Sequence, residues 1–190
     1  MQSKRFLFKT VFLLFLISWL TACTTIPVSQ STPSAVNGTV TDTQVYFSPD
    51  GGCTKAIIEQ IDNAKSDILI QAYSFTYAPI AKALVNAHKK GIKIEAILDK
   101  SNVTGNYSSA TYLSNNGIPV FIDAAHAIAH NKIIIIDKEI VITGSFNFTK
   151  AAEEKNAENL LVIKSKELAN TYLDNWNKHK EHSYEYKRKQ

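Results

Sequence analysis

Residues 129–143 read AHNKIIIIDKEIVIT, and this stretch predicts two β-strands joined by a tight turn. The strands are predicted over residues 129–136 and 140–143, with the turn at residues 137–139. Four consecutive isoleucines, 133–136, cannot all face water, so the first strand is expected at the centre of a sheet. The hairpin makes this part of the sheet antiparallel.

The flanking sequence alternates strand and helix signals. Apolar runs predict further strands at 45–47, 67–74, 92–98, 118–122 and 159–163. Helical spacing of apolar residues predicts helices over 54–65, 80–89, 111–115 and 168–176. Strand–helix alternation is typical of a partly parallel sheet covered by helices. The predicted fold class is therefore α/β, with a mixed, mostly parallel central sheet and helices on both faces.

Length and composition fit one globular domain, but net charge identifies no partner. The 190 residues are 45% apolar and 20% charged, which argues against disordered and fibrous classes. The net charge of +4 by itself suggests an acidic partner such as nucleic acid. Residues 1–22 hold three of the basic groups and the last 13 residues hold five, leaving 13 basic and 15 acidic groups in residues 23–177. Bulk charge is therefore no argument for a nucleic-acid binder.

Residues 1–22 are predicted to be a secretory signal, because a basic start is followed by a short apolar run. The sequence Leu-Thr-Ala-Cys at residues 20–23 resembles the bacterial lipobox, which implies lipidation of Cys23 and a membrane anchor. By the same resemblance, Thr24 after the cysteine favours the outer membrane of the cell envelope. The alternative is an uncleaved signal anchor.

Three further segments complete the predicted organisation. Residues 23–42 are rich in Ser, Thr and Pro and nearly uncharged, which favours a flexible tether. Residues 43–182 form the predicted catalytic domain, and residues 183–190 a basic tail. If Cys23 is lipidated, Cys53 has no disulfide partner. Cys53 is expected to be a small buried hydrophobe, the alternative being a reactive thiol at a helix start.

The residues that carry chemistry lie in 130–158. Side chains alternate along a strand, so His130 and Lys132 are expected on one face, about 6.5–7 Å apart at Cα. An imidazole beside an ammonium suits a phosphate group, since lysine neutralises its charge and histidine can attack or protonate it. Asp137 is an odd number of residues from Lys132, so its side chain is expected on the opposite face of the strand. The hairpin returns Ser145 and Asn147 to the end of the sheet where His130 lies, and both offer hydrogen bonds to phosphate oxygens.

This spacing resembles a known signature. His130-X-Lys132-X4-Asp137-X6-Gly144-Ser145-X-Asn147 matches that of the phospholipase D superfamily at every position. Residues 51–54, 72–76 and 144–153 (GGCT, AYSFT and GSFNFTKAAE) are similar to the small bacterial endonucleases of that superfamily. The resemblance implies a phospholipase D-like α/β sandwich and a phosphodiesterase without cofactor or metal.

The resemblance also assigns roles to residues. His130 is the implied nucleophile, forming a phosphohistidine that water hydrolyses, and Lys132, Ser145 and Asn147 are the implied phosphate ligands. Glu158 matches the carboxylate that orients the imidazole. Asp137, although part of the signature, is expected to be structural. No metal site is expected, because the implied mechanism requires no metal ion.

A second group must protonate the leaving oxygen, because one histidine cannot be nucleophile and acid at once. Larger superfamily members carry two signatures, and this chain carries one. The resemblance implies a homodimer in which His130 of each subunit meets in one composite site. The intramolecular alternative is His126. The remaining histidines, His88, His179 and His182, are expected to be solvated.

Substrate choice is left open by the signature, because the superfamily cleaves both nucleic acids and phospholipids. The resemblance favours a non-specific endonuclease on DNA or RNA. Tyr73, Phe75 and Tyr77 are candidates for stacking on bases, or for ordinary packing. One alternative is a phospholipase D hydrolysing phospholipid headgroups, and a second is a non-catalytic lipoprotein that binds nucleic acid.

Overall fold

Strands and helices alternate through the computed structural model, which describes residue 40 and residues 42–105 and 108–187. The strands are β1 (Asp42–Ser48), β2 (Asp67–Ala72), β3 (Lys93–Asp99), β4 (Val120–Asp123), β5 (Lys132–Ile136), β6 (Ile140–Gly144), β7 (Glu158–Lys164) and β8 (Tyr184–Glu185). The helices are α1 (Cys53–Asp62), α2 (Ala78–Lys89), α3 (Ser101–Thr104), α4 (Ala110–Asn115), α5 (Lys150–Glu154) and α6 (Lys166–His182).

These strands form one mixed sheet in the order β1-β7-β6-β5-β2-β3-β4-β8. Only two neighbouring pairs in the described sheet, β2 with β3 and β3 with β4, are parallel. The other pairs are antiparallel, including β5 with its neighbour β2. The prediction of a mixed sheet is confirmed, and the prediction that it is mostly parallel is wrong. Strand–helix alternation extends only to β4, after which hairpin and edge pairings dominate.

Helices cover both faces of the sheet, as predicted. Ile134 and Ile136 point to the larger core, which also contains buried residues of α1, α2 and α4. Ile133 and Ile135 point to the smaller core beneath α6, where Trp176 packs and its Nε1 donates to the Ile70 carbonyl at 3.0 Å. All four isoleucines are buried because β5 lies between β2 and β6.

Several boundaries differ from those predicted. β5 begins at Lys132, so His130 lies in the loop before the strand. Within the predicted tail, β8 pairs with β4 and Tyr186 Oη lies 2.7 Å from Thr111 Oγ1. The sheet therefore continues past residue 182. The short helices α3 and α5 were not predicted.

Cys53 is fully buried at the start of α1. Burial, followed by the charge of Glu153, raises the pKa of its thiol to about 11. This agrees with the prediction of a buried hydrophobe rather than a reactive thiol.

The predicted signal over residues 1–22, Cys23 and nearly all of the predicted tether lie outside the described residues. Within the part of the chain that the structure describes, no helix has the length and apolar character needed to cross a membrane.

Candidate active site

His130 and Lys132 meet where β5 begins. Lys132 Nζ lies 3.2 Å from His130 Nδ1 and donates to the His130 carbonyl oxygen at 2.8 Å. The loop is fixed to β2, since the backbone N–H of Tyr73 donates to the Asn131 carbonyl at 2.8 Å. His130 itself is exposed. The proximity predicted from the sequence is therefore present, with the imidazole open to solvent.

Lys132 is a nearly buried cation, 7% exposed. Burial lowers the pKa of its ammonium, and the negative charge of Glu158 partly opposes this effect. A buried ammonium interacts more strongly with an anion than a solvated one does, because the local dielectric constant is lower. Lys132 is thus suited to hold a phosphate oxygen beside the imidazole.

The turn after β6 places Ser145 and Asn147 at the same end of the sheet. The N–H groups of Ser145 and Phe146 both donate to the Asn159 carbonyl, at 3.1 and 3.2 Å. Gly144 makes this close approach possible: a Cβ there would lie 2.3 Å from the Asn159 carbonyl oxygen. The glycine of the signature is therefore required by backbone packing.

Ser145 and Glu158 form a hydrogen-bonded pair. Ser145 Oγ donates to Glu158 Oε2 at 2.6 Å and accepts from the Asn159 N–H at 3.0 Å. Asn156 Nδ2 donates to the other carboxylate oxygen at 3.1 Å. The Ser145 hydroxyl proton is donated to Glu158, so it is not free to bind a phosphate oxygen. Ser145 instead links Glu158 to the backbone of Asn159.

The structure does not join Glu158 to His130 as the resemblance implies. Among the described residues, the hydrogen bonds of Glu158 go to Ser145 and Asn156, and His130 Nδ1 faces Lys132. Glu158 still acts on the site through its charge, which favours the protonated form of Lys132.

Asn147 is the polar side chain of the turn that is left available. Its Oδ1 is buried without a hydrogen-bond partner among the described residues. A buried polar group without a partner is costly, so it is usually completed by a ligand or water. Because Oδ1 is an acceptor and needs a donor, the group of this amide that can contact a phosphate oxygen from this side is Nδ2.

One of the three predicted aromatic residues lines the site. The centroids of the Tyr73 and His130 rings are 4.5 Å apart. Lys132 Nζ lies 5.3 Å from the centroid of the Tyr73 ring. Phe75 is fully buried against Phe148, and Tyr77 packs against the larger core. Only Tyr73 is placed to stack on a substrate group beside the imidazole.

Asp137, part of the signature, lies at the far end of β5 from His130. Its carboxylate accepts the N–H groups of Lys65, Ser66 and Asp67 and the Ser66 hydroxyl, at 2.7–3.2 Å. Burial alone would raise its pKa, but these donors lower it. These contacts tie the end of β5 to the start of β2, which is a structural role for Asp137.

A second group of polar side chains went unrecognised in the sequence. Asp123, His126, His179 and His182 converge at the end of β4, and we call them the histidine cluster. Asp123 is fully buried; burial would raise its pKa, but bonds from the three imidazoles hold it well below its usual range. His179 is only 15% exposed, so the prediction that it is solvated is wrong. The overlooked signals are Asp-X2-His at 123–126 and His-X2-His at 179–182.

The family is established by comparison with known proteins. A family model described as cardiolipin synthase, PLD-like domain, matches residues 57–180, which is more than half of the chain. The class of protein that the fold and site define agrees with this match. It has an α/β fold, a His-Lys pair at one end of the sheet and a Gly-Ser-X-Asn turn beside that pair. The chain belongs to the phospholipase D-like family, as its resemblance implies.

Individual relatives agree. A protein named phospholipase D from Rickettsia conorii is 51% identical over 130 residues, covering 68% of this chain and 65% of the relative. The crystal structure of Nuc from Salmonella typhimurium, a phospholipase D family member, has a TM-score of 0.74 at 42% identity, covering 77% of this chain and 99% of Nuc. NucT from Helicobacter pylori has a TM-score of 0.72 at 27% identity, covering 76% and 99%. The chain thus matches slightly less than two thirds of the Rickettsia protein.

Proposed function

We propose that this protein is a phosphodiesterase that acts through a phosphohistidine at His130 and cleaves nucleic acid without sequence preference. The observation that carries the proposal is the 3.2 Å contact between an exposed imidazole and a nearly buried ammonium. The Asn147 amide at the same end of the sheet supplies a further polar contact for a phosphodiester.

The reaction follows from these positions. A nitrogen of His130 attacks phosphorus and forms an N–P bond, while the P–O bond to the leaving oxygen breaks. Lys132 neutralises the charge on the non-bridging oxygens, and the departing oxygen takes a proton from a second acid. Water then attacks phosphorus, the N–P bond breaks, and the second group takes a proton from the water. No step uses a metal ion.

The second acid in this proposal is the partner subunit's His130. The exposed position of His130 supports a site completed by another surface, and Ile128 in the same loop is an apolar side chain 57% exposed. Burying such a side chain in an interface is favourable. The intramolecular alternative, His126, has Nδ1 bonded to Asp123 at 3.1 Å and belongs to the histidine cluster.

The experiment compares purified full chain with His130→Ala on plasmid DNA and on a structured RNA, with excess chelator present. We expect cleavage of both by the wild-type protein and none by the variant. Circular dichroism checks that each sample remains folded in chelator. Cleavage by His130→Ala at the wild-type rate would show that this site is not the catalyst.

The second candidate is a phospholipase D, favoured by the name of the Rickettsia conorii relative at 51% identity. The same samples are therefore incubated with phosphatidylcholine vesicles, and release of choline is measured. Faster turnover of lipid than of DNA, lost in His130→Ala, would replace the nuclease proposal. Binding of DNA with no turnover of either substrate would leave a non-catalytic binding protein.

We also propose that the protein is lipid-anchored through Cys23 in the bacterial cell envelope, at the outer membrane. The lipobox-like residues 20–23 support this assignment. Cells expressing the wild-type chain or Cys23→Ser are labelled with radioactive palmitate and fractionated. Label in the outer-membrane fraction is expected for the wild-type chain only, and equal labelling of both would exclude Cys23.

A further inference from the structure

The histidine cluster draws on three separate segments. Asp123 ends β4, His126 follows in the loop that leads to His130, and His179 and His182 lie one turn apart near the end of α6. One ligand atom from each of the four side chains lies within 4.8 Å of all the others. The four atoms therefore surround a small common volume.

The distances between the Asp123 carboxylate and the three ring nitrogens are compatible with a shared ion as well as with hydrogen bonds. Asp123 Oδ2 lies 3.1 Å from His126 Nδ1, 2.7 Å from His179 Nδ1 and 3.3 Å from His182 Nε2. In a tetrahedral zinc site with bonds of about 2.0–2.1 Å, neighbouring ligand atoms are about 3.3 Å apart. The Asp–His distances thus already approach the edges of such a tetrahedron.

Hydrogen bonds from neutral imidazoles satisfy the Asp123 oxygens but place no positive charge beside the buried carboxylate. One carboxylate oxygen faces three ring nitrogens, and Asp123 Oδ1 also accepts the Ala125 N–H at 3.1 Å. The ring centroids lie 4.9–5.3 Å apart, so three protonated imidazoles would repel one another. The carboxylate is fully buried, where an uncompensated charge is costly. A cation among neutral rings removes both penalties.

We propose that the histidine cluster binds one Zn²⁺ ion through Asp123, His126, His179 and His182. Three nitrogens and one oxygen suit a borderline-soft transition metal, whereas Mg²⁺ and Ca²⁺ take mainly oxygen ligands. Four protein ligands fill a tetrahedral site, so this ion is structural and does not activate water. His126 and His179 bind through Nδ1 and carry their proton on Nε2; His182 binds through Nε2 and carries its proton on Nδ1.

The ion would link α6, through His179 and His182, to the loop that carries His130. That loop is already held by Lys100 Nζ, which donates to the His126 carbonyl at 3.0 Å, and by the Ala129 N–H, which donates to Asp99 at 2.8 Å. α6 is anchored to the sheet by Trp176. Zinc joins these two regions at β4 and thereby stabilises the loop before the nucleophile.

The experiment measures metal binding directly, so its result is independent of the proposed phosphodiesterase activity. The full chain is stripped with chelator, exchanged into metal-free buffer and titrated with Zn²⁺ in a calorimeter; bound metal is then counted by mass spectrometry. We expect one Zn²⁺ per chain and a higher melting temperature with zinc. Less than a tenth of an equivalent bound at a micromolar excess of free zinc would overturn the proposal.

Two cluster variants and a matched control assign the site. His126→Ala removes the most exposed ligand, 48% exposed, and is the change least expected to disturb folding. His179→Ala with His182→Ala removes both helix ligands. His88→Ala is the control, because its Nδ1 contacts the Ile92 carbonyl at 3.1 Å outside the cluster. We expect zinc affinity to fall at least tenfold in both cluster variants and to be unchanged in the control; unchanged affinity in either folded cluster variant would exclude the site.

Discussion

The contact between Gly144 and Asn159 controls how the active-site turn is built. A methyl group at Gly144 would have to displace the Asn159 backbone, because the added Cβ lies 2.3 Å from its carbonyl oxygen. We therefore expect Gly144→Ala to lower stability by about 1–3 kcal/mol and to reduce phosphodiesterase activity strongly. Thermal unfolding and turnover of a chromogenic phosphodiester measure the two effects.

Gly105→Ala is the matched control for that substitution. Gly105 has a negative φ of −70°, and an added Cβ would lie 3.4 Å from the nearest atom, the Ser101 carbonyl oxygen. A small change in melting temperature and unchanged turnover are expected. If Gly144→Ala behaves like this control, close packing does not explain the glycine.

Asn147 and Ser145 are expected to differ in their effect on rate. Asn147 has an amide without an internal partner, whereas the Ser145 hydroxyl is committed to Glu158. Removing a donor that stabilises charge in the transition state costs about 100-fold or more in kcat, so Asn147→Ala should show a loss of that order. Ser145→Ala should lose less, since Ser145 is a positioning residue. Steady-state kinetics on both variants measure the loss of kcat. A larger loss in Ser145→Ala than in Asn147→Ala would contradict the prediction.

At the scale of single residues, sequence reasoning succeeded where partners are close in the chain. His130 and Lys132 are two residues apart, so strand geometry alone brings them together. His179 lies 56 residues from Asp123, and no periodicity links a helix near the C-terminus to the end of β4. The serine–carboxylate pair also depends on side-chain direction, which a signature does not contain.

At the scale of elements, Asp137 holds the turn of the β5–β6 hairpin against the start of β2. Asp137 and Lys138 have positive φ values of 53° and 54°, the geometry of a two-residue hairpin turn. Asparagine tolerates this backbone as well as aspartate does, so Asp137→Asn isolates the loss of charge. Hydrogen bonds to a charged group contribute about 1.5–3 kcal/mol, and we expect a loss of unfolding free energy in that range near pH 7.

This loss should depend on pH with a defined sign. The folded-state pKa of Asp137 is lowered, so its stabilisation is complete above the unfolded pKa of about 3.9 and fades as pH falls through the folded value. The difference between wild type and Asp137→Asn should therefore shrink below about pH 4. Urea unfolding from pH 7 to 3 measures it, with the exposed Asp174→Asn as control. A difference that is constant over this range would exclude the charge as its source.

The elements were predicted more reliably than their directions in the sheet. Each strand from β1 to β7 and the longer helices carry a local apolar pattern. β2 lies beside β5 in antiparallel pairing, and that neighbour relation spans more than 60 residues. The pairing of β8 with β4 rests on two residues, Tyr184 and Glu185, too short a strand for any pattern to appear.

For the whole molecule, the composite site makes a quantitative prediction about mixed dimers. Wild-type chain and inactive His130→Ala are mixed in varying ratios, allowed to exchange subunits and assayed for DNA cleavage. A heterodimer holds one His130, which cannot be both nucleophile and acid, so only wild-type homodimers should be active. Activity should follow the square of the wild-type fraction, giving about a quarter of full activity in an equal mixture of a two-fold dimer.

An independent site in each chain predicts a different curve. Activity would then be proportional to the wild-type fraction, giving about half in an equal mixture if each subunit of the dimer acts alone. Exchange is verified with differently tagged chains by co-purification, and Asp174→Asn replaces His130→Ala as an active control that should leave the activity of every mixture unchanged. A linear dependence with proven exchange would place the proton donor within one chain. A quadratic dependence would mean that the exposed His130 of the single chain becomes a complete site only against its partner.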